Sequence, residues 1–211
     1  MSVLSAVFMK AGIIMSSDSR LTSERTINGI KCISRKDVLQ KTFLLSAINV
    51  GISYCGNVNV AGKPFHEFIK DFAKNEVEKD DTAYSIATKL FNVKDRDGTT
   101  ILVCGYIDGI PYVYCIIGNR MERMNVDDDG NVIYSVLVLG GNRFPQKYLD
   151  DEISGRYSLL TLSLKNGITL AENLVVVAIQ NVSSCGAPIN TLVIQANTAF
   201  WHQCHCTNEI L

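Results

Sequence analysis

The chain has 211 residues, 47% of them hydrophobic, 19% charged, and a formal net charge of −1. That composition suits one domain over residues 1–211 with a sizeable core, and it excludes a strong basic field for nucleic acid or an anionic membrane. Four prolines and no low-complexity tract exclude a linker-rich or disordered protein.

Residues 2–9 and 12–17 are two apolar strands joined at Lys10-Ala11-Gly12. The N-terminal run lacks a basic flank and meets a polar turn at once, so it reads as a strand and not as a signal peptide. A long polar stretch, 18–41, carries the turn signal Asn28-Gly29. Strands follow at Thr42–Ala47 and Val50–Cys55, and the first 56 residues read as a β-meander. Pro64 opens a helix with Phe65, Phe68, Ile69 and Phe72 on one face. These phenylalanines read as core and not as a cofactor pocket. Asp81-Thr82 caps a second helix with Ala83, Ile86, Ala87 and Leu90 at the same spacing.

Strands return at Thr100–Ile107 and Pro111–Ile117, turning at Asp108-Gly109. A further hairpin is expected from Arg120–Val126 and Val132–Leu139 around Asp127-Asp128-Asp129-Gly130. Residues 143–152 and 163–181 read as helices, the latter apolar on most faces and so expected to be deeply buried. Thr191–Ile194 and Thr198–Trp201 close the chain as strands. Hairpin connections with interspersed helix pairs predict an α+β fold of antiparallel sheets with helices outside.

Seven cysteines lie mostly in apolar segments, which fits buried thiols in a reducing cytosol better than a disulfide framework. No apolar run approaches the roughly 20 residues of a membrane helix. Phosphate-binding loops, the G-x-S-x-G elbow and H-E-x-x-H are all absent. His202-Gln203-Cys204-His205-Cys206 is spaced too tightly for a zinc loop, and the Asp127–Asp129 run lacks the later ligands of a calcium loop, so no metal and no cofactor is expected.

The remaining signal is Gly12-Ile13-Ile14-Met15-Ser16-Ser17-Asp18-Ser19-Arg20-Leu21-Thr22, with Ser2 lying 16 positions before Asp18. This segment resembles the proteasome β-type subunits, within the N-terminal-nucleophile hydrolases. Weaker likenesses follow in the same order: Gln40-Lys41-Thr42-Phe43, Gly51 to Asn57, Leu102 to Tyr106, Pro111 to Tyr114, and Ser184 to Asn190. The resemblance implies a four-layer αββα sandwich and hydrolysis of a peptide or small amide through an acyl-enzyme. It implies that Ser2 is the nucleophile once Met1 is removed, that Asp18 and Lys41 support it, and that Gly56 donates to the oxyanion. It places Arg20, Thr22 and Cys55 at the substrate, and it implies self-association through the outer helices.

Departures accompany the likeness. Serine stands where threonine is usual, and glycine stands at Gly140-Gly141 where a serine is expected. Val182 and Cys185 occupy the places of an aspartate and a serine. The long 18–41 stretch leaves Lys31, Arg35 and Lys36 as rivals to Lys41. Two alternatives therefore stay open: a catalytically inactive scaffold or interaction subunit, and a non-peptide amidohydrolase.

Overall fold

The computed structural model describes residues 2–153 and 158–205. Met1 and Cys206, both used above, lie outside the described residues.

β1 (Val3–Met9) and β2 (Gly12–Ser17) form the expected hairpin, and every residue of both is buried. Among the described residues, β3 (Arg20–Ile27) and β4 (Ile30–Asp37) pair only with each other. β5 (Thr42–Leu45), a 3₁₀ turn at Ser46–Ile48 and β6 (Val50–Gly56) follow, then the short β7 (Asn59–Val60) and β8 (Lys63–Pro64). Two helices come next, α1 (Phe65–Asn75) and α2 (Ala83–Phe91). β9 (Thr99–Ile107), β10 (Ile110–Ile117), β11 (Arg120–Arg123) and β12 (Ser135–Gly140) precede α3 (Arg143–Tyr148), which ends in a π turn at Leu149–Ile153. α4 (Leu164–Asn181), β13 (Asn190–Gln195) and β14 (Thr198–Gln203) complete the order.

Two five-stranded antiparallel sheets result. One runs β12-β1-β2-β13-β14 and the other β11-β10-β9-β6-β5. Strand alternation gives each sheet two apolar faces. The facing sides meet through Phe8, Ile13, Met15 and Leu192 from the first sheet and Leu102, Cys104 and Val113 from the second. Gly51 permits this approach, because a Cβ there would lie 2.6 Å from the Met15 sulfur. The outer side of the second sheet, with Ile52, Tyr54 and Val103, receives Phe65, Ile69 and Phe72 of α1 and Ile86 and Leu90 of α2. The outer side of the first, with Val7, Ile14 and Val193, receives Leu170, Leu174 and Ala178 of α4. Each large side chain so buried contributes about 1.5–3 kcal/mol relative to exposure. The layers therefore run helices, sheet, sheet, helices in an α+β sandwich.

Local signals match the caps. Thr82 and Ser85 form a reciprocal capping box, and the Ser163 hydroxyl accepts from the Asn166 N–H. Asn28-Gly29 and Asp108-Gly109 both turn with positive φ.

Four expectations change. The first 56 residues are not one meander but three hairpins in three separate sheets. Residues 18–41 are not merely a polar stretch, since β3 and β4 project as a nearly uncovered arm with Ile27 and Ile30 exposed. β11 and β12 are not a hairpin. β11 pairs with β10, β12 pairs with β1, and only a single bridge, Val126–Val132, joins the intervening turn. The chain crosses from one sheet to the other there, and apolar alternation alone does not say which sheet a strand joins. α4 buries one face, while Ile168, Val176 and Ile179 stay half-buried.

Candidate active site

β2 ends at Ser17, and the chain then places Asp18 between the two sheets, fully buried. A buried carboxylate is costly unless every lone pair is met. Here all four positions are used. Asp18 Oδ1 accepts from the Val3 N–H (3.0 Å) and from Lys41 Nζ (2.6 Å). Oδ2 accepts from the Arg20 N–H (3.1 Å) and the Gly186 N–H (3.1 Å).

Lys41 enters from the start of β5 and is itself fully buried. Its ammonium also donates to the Arg20 carbonyl at 2.9 Å. Burial lowers its pKa below the ordinary lysine value, and the Asp18 carboxylate opposes that shift without cancelling it. Lys31, Arg35 and Lys36 lie on the exposed strand β4, so Lys41 is the lysine that meets Asp18.

One oxygen of Asp18 thus ties Lys41 to the backbone immediately after Ser2. Ser2 is buried, and its carbonyl accepts the Gly141 N–H at 2.7 Å. Gly140, at φ +80°, passes so close that an added Cβ would lie 1.9 Å from that carbonyl oxygen and 3.5 Å from the Cys55 Cβ. Ser2, Gly140 and Cys55 therefore come together although 138 positions separate the first two. Small hydroxyls line the adjoining layer. Thr42 donates to Ser17 at 2.9 Å and lies 2.8 Å from Ser53 Oγ.

The other expected residues are placed as follows. Gly56 ends β6 next to Cys55 at φ +99°, and a Cβ there would strike the Gly98 carbonyl at 2.1 Å. Arg20 spends its guanidinium on Asp37 (2.7 and 2.8 Å) and on the Ser183 carbonyl (3.2 Å), where it fastens the base of the arm. Thr22 is half-buried in β3, with no partner for its hydroxyl among the described residues. Burial pushes the Cys55 and Cys185 thiols up to about 11, so both stay protonated near neutrality.

Sequence reasoning missed several contributors. The Gly186 amide and the Ser2–Gly140 contact have no side-chain signature. Tyr54, stacked on Phe65 at 3.9 Å, has a buried hydroxyl without a partner among the described residues, and burial together with the Asp18 charge raises its pKa. Its place on an apolar strand gave only a packing signal.

No group of three or more potential metal ligands occurs among the described residues. Nor does any described helix have the length and apolarity to cross a membrane.

No family model matches the chain, and no curated protein matches it in sequence. Solved structures do match in shape. Anbu (ancestral beta-subunit) from Yersinia bercovieri superposes with a TM-score of 0.66 at 14% identity, over 97% of this chain and 88% of that one. The Anbu (Gly-1) mutant from Hyphomicrobium sp. strain MC1 gives 0.66 and 14%, over 98% and 89%. The fold is shared with these proteins. The motif resemblance to the proteasome β-type subunits is corrected accordingly: the sequence matches no family model, and the structural likeness is to Anbu proteins at an identity that carries the fold alone.

Proposed function

We propose that this chain is an amide-bond hydrolase of the N-terminal-nucleophile type, a single domain acting on a peptide or small amide through Ser2 after loss of Met1. One observation carries the reading. Asp18 Oδ1 holds both the Val3 N–H and the Lys41 ammonium, so the buried ion pair is anchored to the residue that follows Ser2.

The chemistry needs no further group. A free α-amine titrates at about 7.7–8.0 and can accept its own residue's hydroxyl proton, directly or through one water. Ser2 Oγ then attacks the carbonyl carbon, and its electrons pass to the carbonyl oxygen. The Gly56 N–H stabilises that oxyanion. The amine leaving group takes the proton back from the α-ammonium as the C–N bond breaks, leaving an ester on Ser2. Water, deprotonated by the same amine, hydrolyses the ester. Lys41 keeps the α-amine neutral by like-charge repulsion and favours the alkoxide. Asp18 orients Lys41.

Buried thiols at Cys55, Cys104, Cys115 and Cys185 support a reducing, cytoplasmic setting. The half-buried apolar residues on the outside of α4 support self-association.

A second reading has its own observation. Both Asp18 oxygens are engaged by backbone N–H groups and by Lys41, and Lys41 also donates to the Arg20 carbonyl, as in a purely structural pair of an inactive interaction subunit. Hydrolysis of a peptide-amide library by the natively processed chain and by Ser2→Ala separates the two. The hydrolase reading expects a loss of about 10³-fold or more in the variant. Equal rates, or no turnover in either, would favour the structural pair.

A further inference from the structure

A groove of about 570 Å³ opens at the foot of the β3–β4 arm. Its volume falls within the roughly 300–1,000 Å³ of ordinary ligand sites. It is built directly on the strands that carry the buried pair. Ser19, which follows Asp18, and Gln40, which precedes Lys41, both line it.

The framework is rigid. The Ser19 N–H donates to the Gly186 carbonyl at 2.9 Å, and the Leu39 N–H donates to the Ser19 carbonyl at 2.9 Å. Asn190 Nδ2 donates to Ser19 Oγ at 3.0 Å, and the His205 N–H donates to Asn190 Oδ1 at 2.8 Å. His205 is thereby held at the groove beyond the end of β14.

The charges in it are one-sided. Lys36 comes from β4, while His66 and Lys70 sit four positions apart on α1 and so share a face. The acid in the lining is Asp37, and both its oxygens are engaged by Arg20. Glu67, 3.8 Å from His66, lies beside the groove and not in its lining. Among the described residues, two ammonium groups and two imidazoles therefore line a groove that holds no uncommitted carboxylate. Leu21, Val38 and Pro188 add apolar surface, which a free inorganic ion would not use but a peptide chain would.

We infer that this groove binds the carboxylate side chains of an acidic peptide. The inference goes beyond the hydrolase reading and does not require it, since binding is measured without turnover.

The test uses the full chain and fluorescein-labelled hexapeptides, one of alternating Glu and Ser and one of alternating Lys and Ser, read by anisotropy. The Glu peptide should bind, and more weakly at about 0.5 M than at about 0.05 M salt, as a partly exposed charge contact requires. Lys36→Glu/Lys70→Glu, two exposed positions, should weaken binding at least tenfold. Lys94→Glu/Lys165→Glu makes the same change in net charge at exposed positions outside the groove and should weaken it less than twofold. Lys36→Gln/Lys70→Gln, with a thermal midpoint matching wild type, guards against an effect of charge reversal on folding. Equal binding of the two peptides, or equal weakening by the two reversed variants, would overturn the assignment. Displacement of the Glu peptide by inorganic phosphate at low millimolar concentration would also overturn it, in favour of a small-anion site.

Discussion

Asp18→Asn keeps the shape of the buried side chain and removes its charge. Both oxygens of Asp18 face donors only: two N–H groups on Oδ2, and one N–H with an ammonium on Oδ1. The amide NH₂ of asparagine must therefore point at two donors whichever way it is flipped. Lys41, fully buried, is left with a charge and no counter-ion. Breaking one side of a buried pair in this way costs about 3–5 kcal/mol. For a chain of this size each kcal/mol lowers the thermal midpoint by about 2–4 °C, so a fall of about 6–20 °C is expected at neutral pH by calorimetry or circular dichroism. Lys41→Met in the Asp18→Asn background removes the stranded cation. The double variant should be more stable than the two single losses added together, by about 1–3 kcal/mol. A single-variant shift below about 3 °C, or strict additivity in the double variant, would refute a buried, mutually dependent pair.

Gly140→Ala should displace the Ser2 carbonyl, because the new Cβ would lie 1.9 Å from it on a backbone at φ +80°. A loss of about 1–3 kcal/mol is expected in thermal unfolding, and a wild-type midpoint would contradict the contact. Thr82→Ala removes the capping box of α2 and should cost about 1 kcal/mol, and an unchanged midpoint would show that the cap contributes nothing. Alkaline pH should destabilise the fold. Burial raises Cys55 and Cys185 to about 11 and Cys115 to about 12, above their ordinary value of 9.0. The folded state thus keeps protons that the unfolded chain releases, so this stabilisation is full below pH 9 and falls as pH rises toward 11. Lys41, lowered by burial, works in the opposite sense below its ordinary 10.5, but burial also raises Cys104, Tyr54 and Tyr106, which act with the three thiols. The thermal midpoint should therefore drop between pH 8 and pH 10.5, and a flat or rising midpoint would refute the account.

Much of this site was legible because it depends on short-range order. Asp18 stood out because it ends an apolar strand, whereas Lys41 was suggested only by the motif resemblance, with Lys31, Arg35 and Lys36 as rivals, and its burial came from the fold. The helices were legible through their spacing and caps. The arm was not, because β3 and β4 pack on no core and carry no apolar alternation to read. Asn28-Gly29 was the one signal of their pairing. The partners of β11 and β12 were hidden for a different reason, since sheet membership is set by long-range packing. The groove was hidden as well. Ser19, Gln40, Lys70 and His205 are far apart in sequence and individually ordinary, and only the fold gathers them. The Gly140 contact likewise depends on β12 lying against β1.

The central claim is that Ser2 is an N-terminal oxygen nucleophile. Reaction of the natively processed chain with a fluorophosphonate probe, followed by peptide mapping in a mass spectrometer, tests it most directly. The account predicts that Met1 is gone and that the probe's mass sits on the peptide beginning at Ser2. Met1 retained on the chain, or a Ser2 peptide without the adduct, would contradict it.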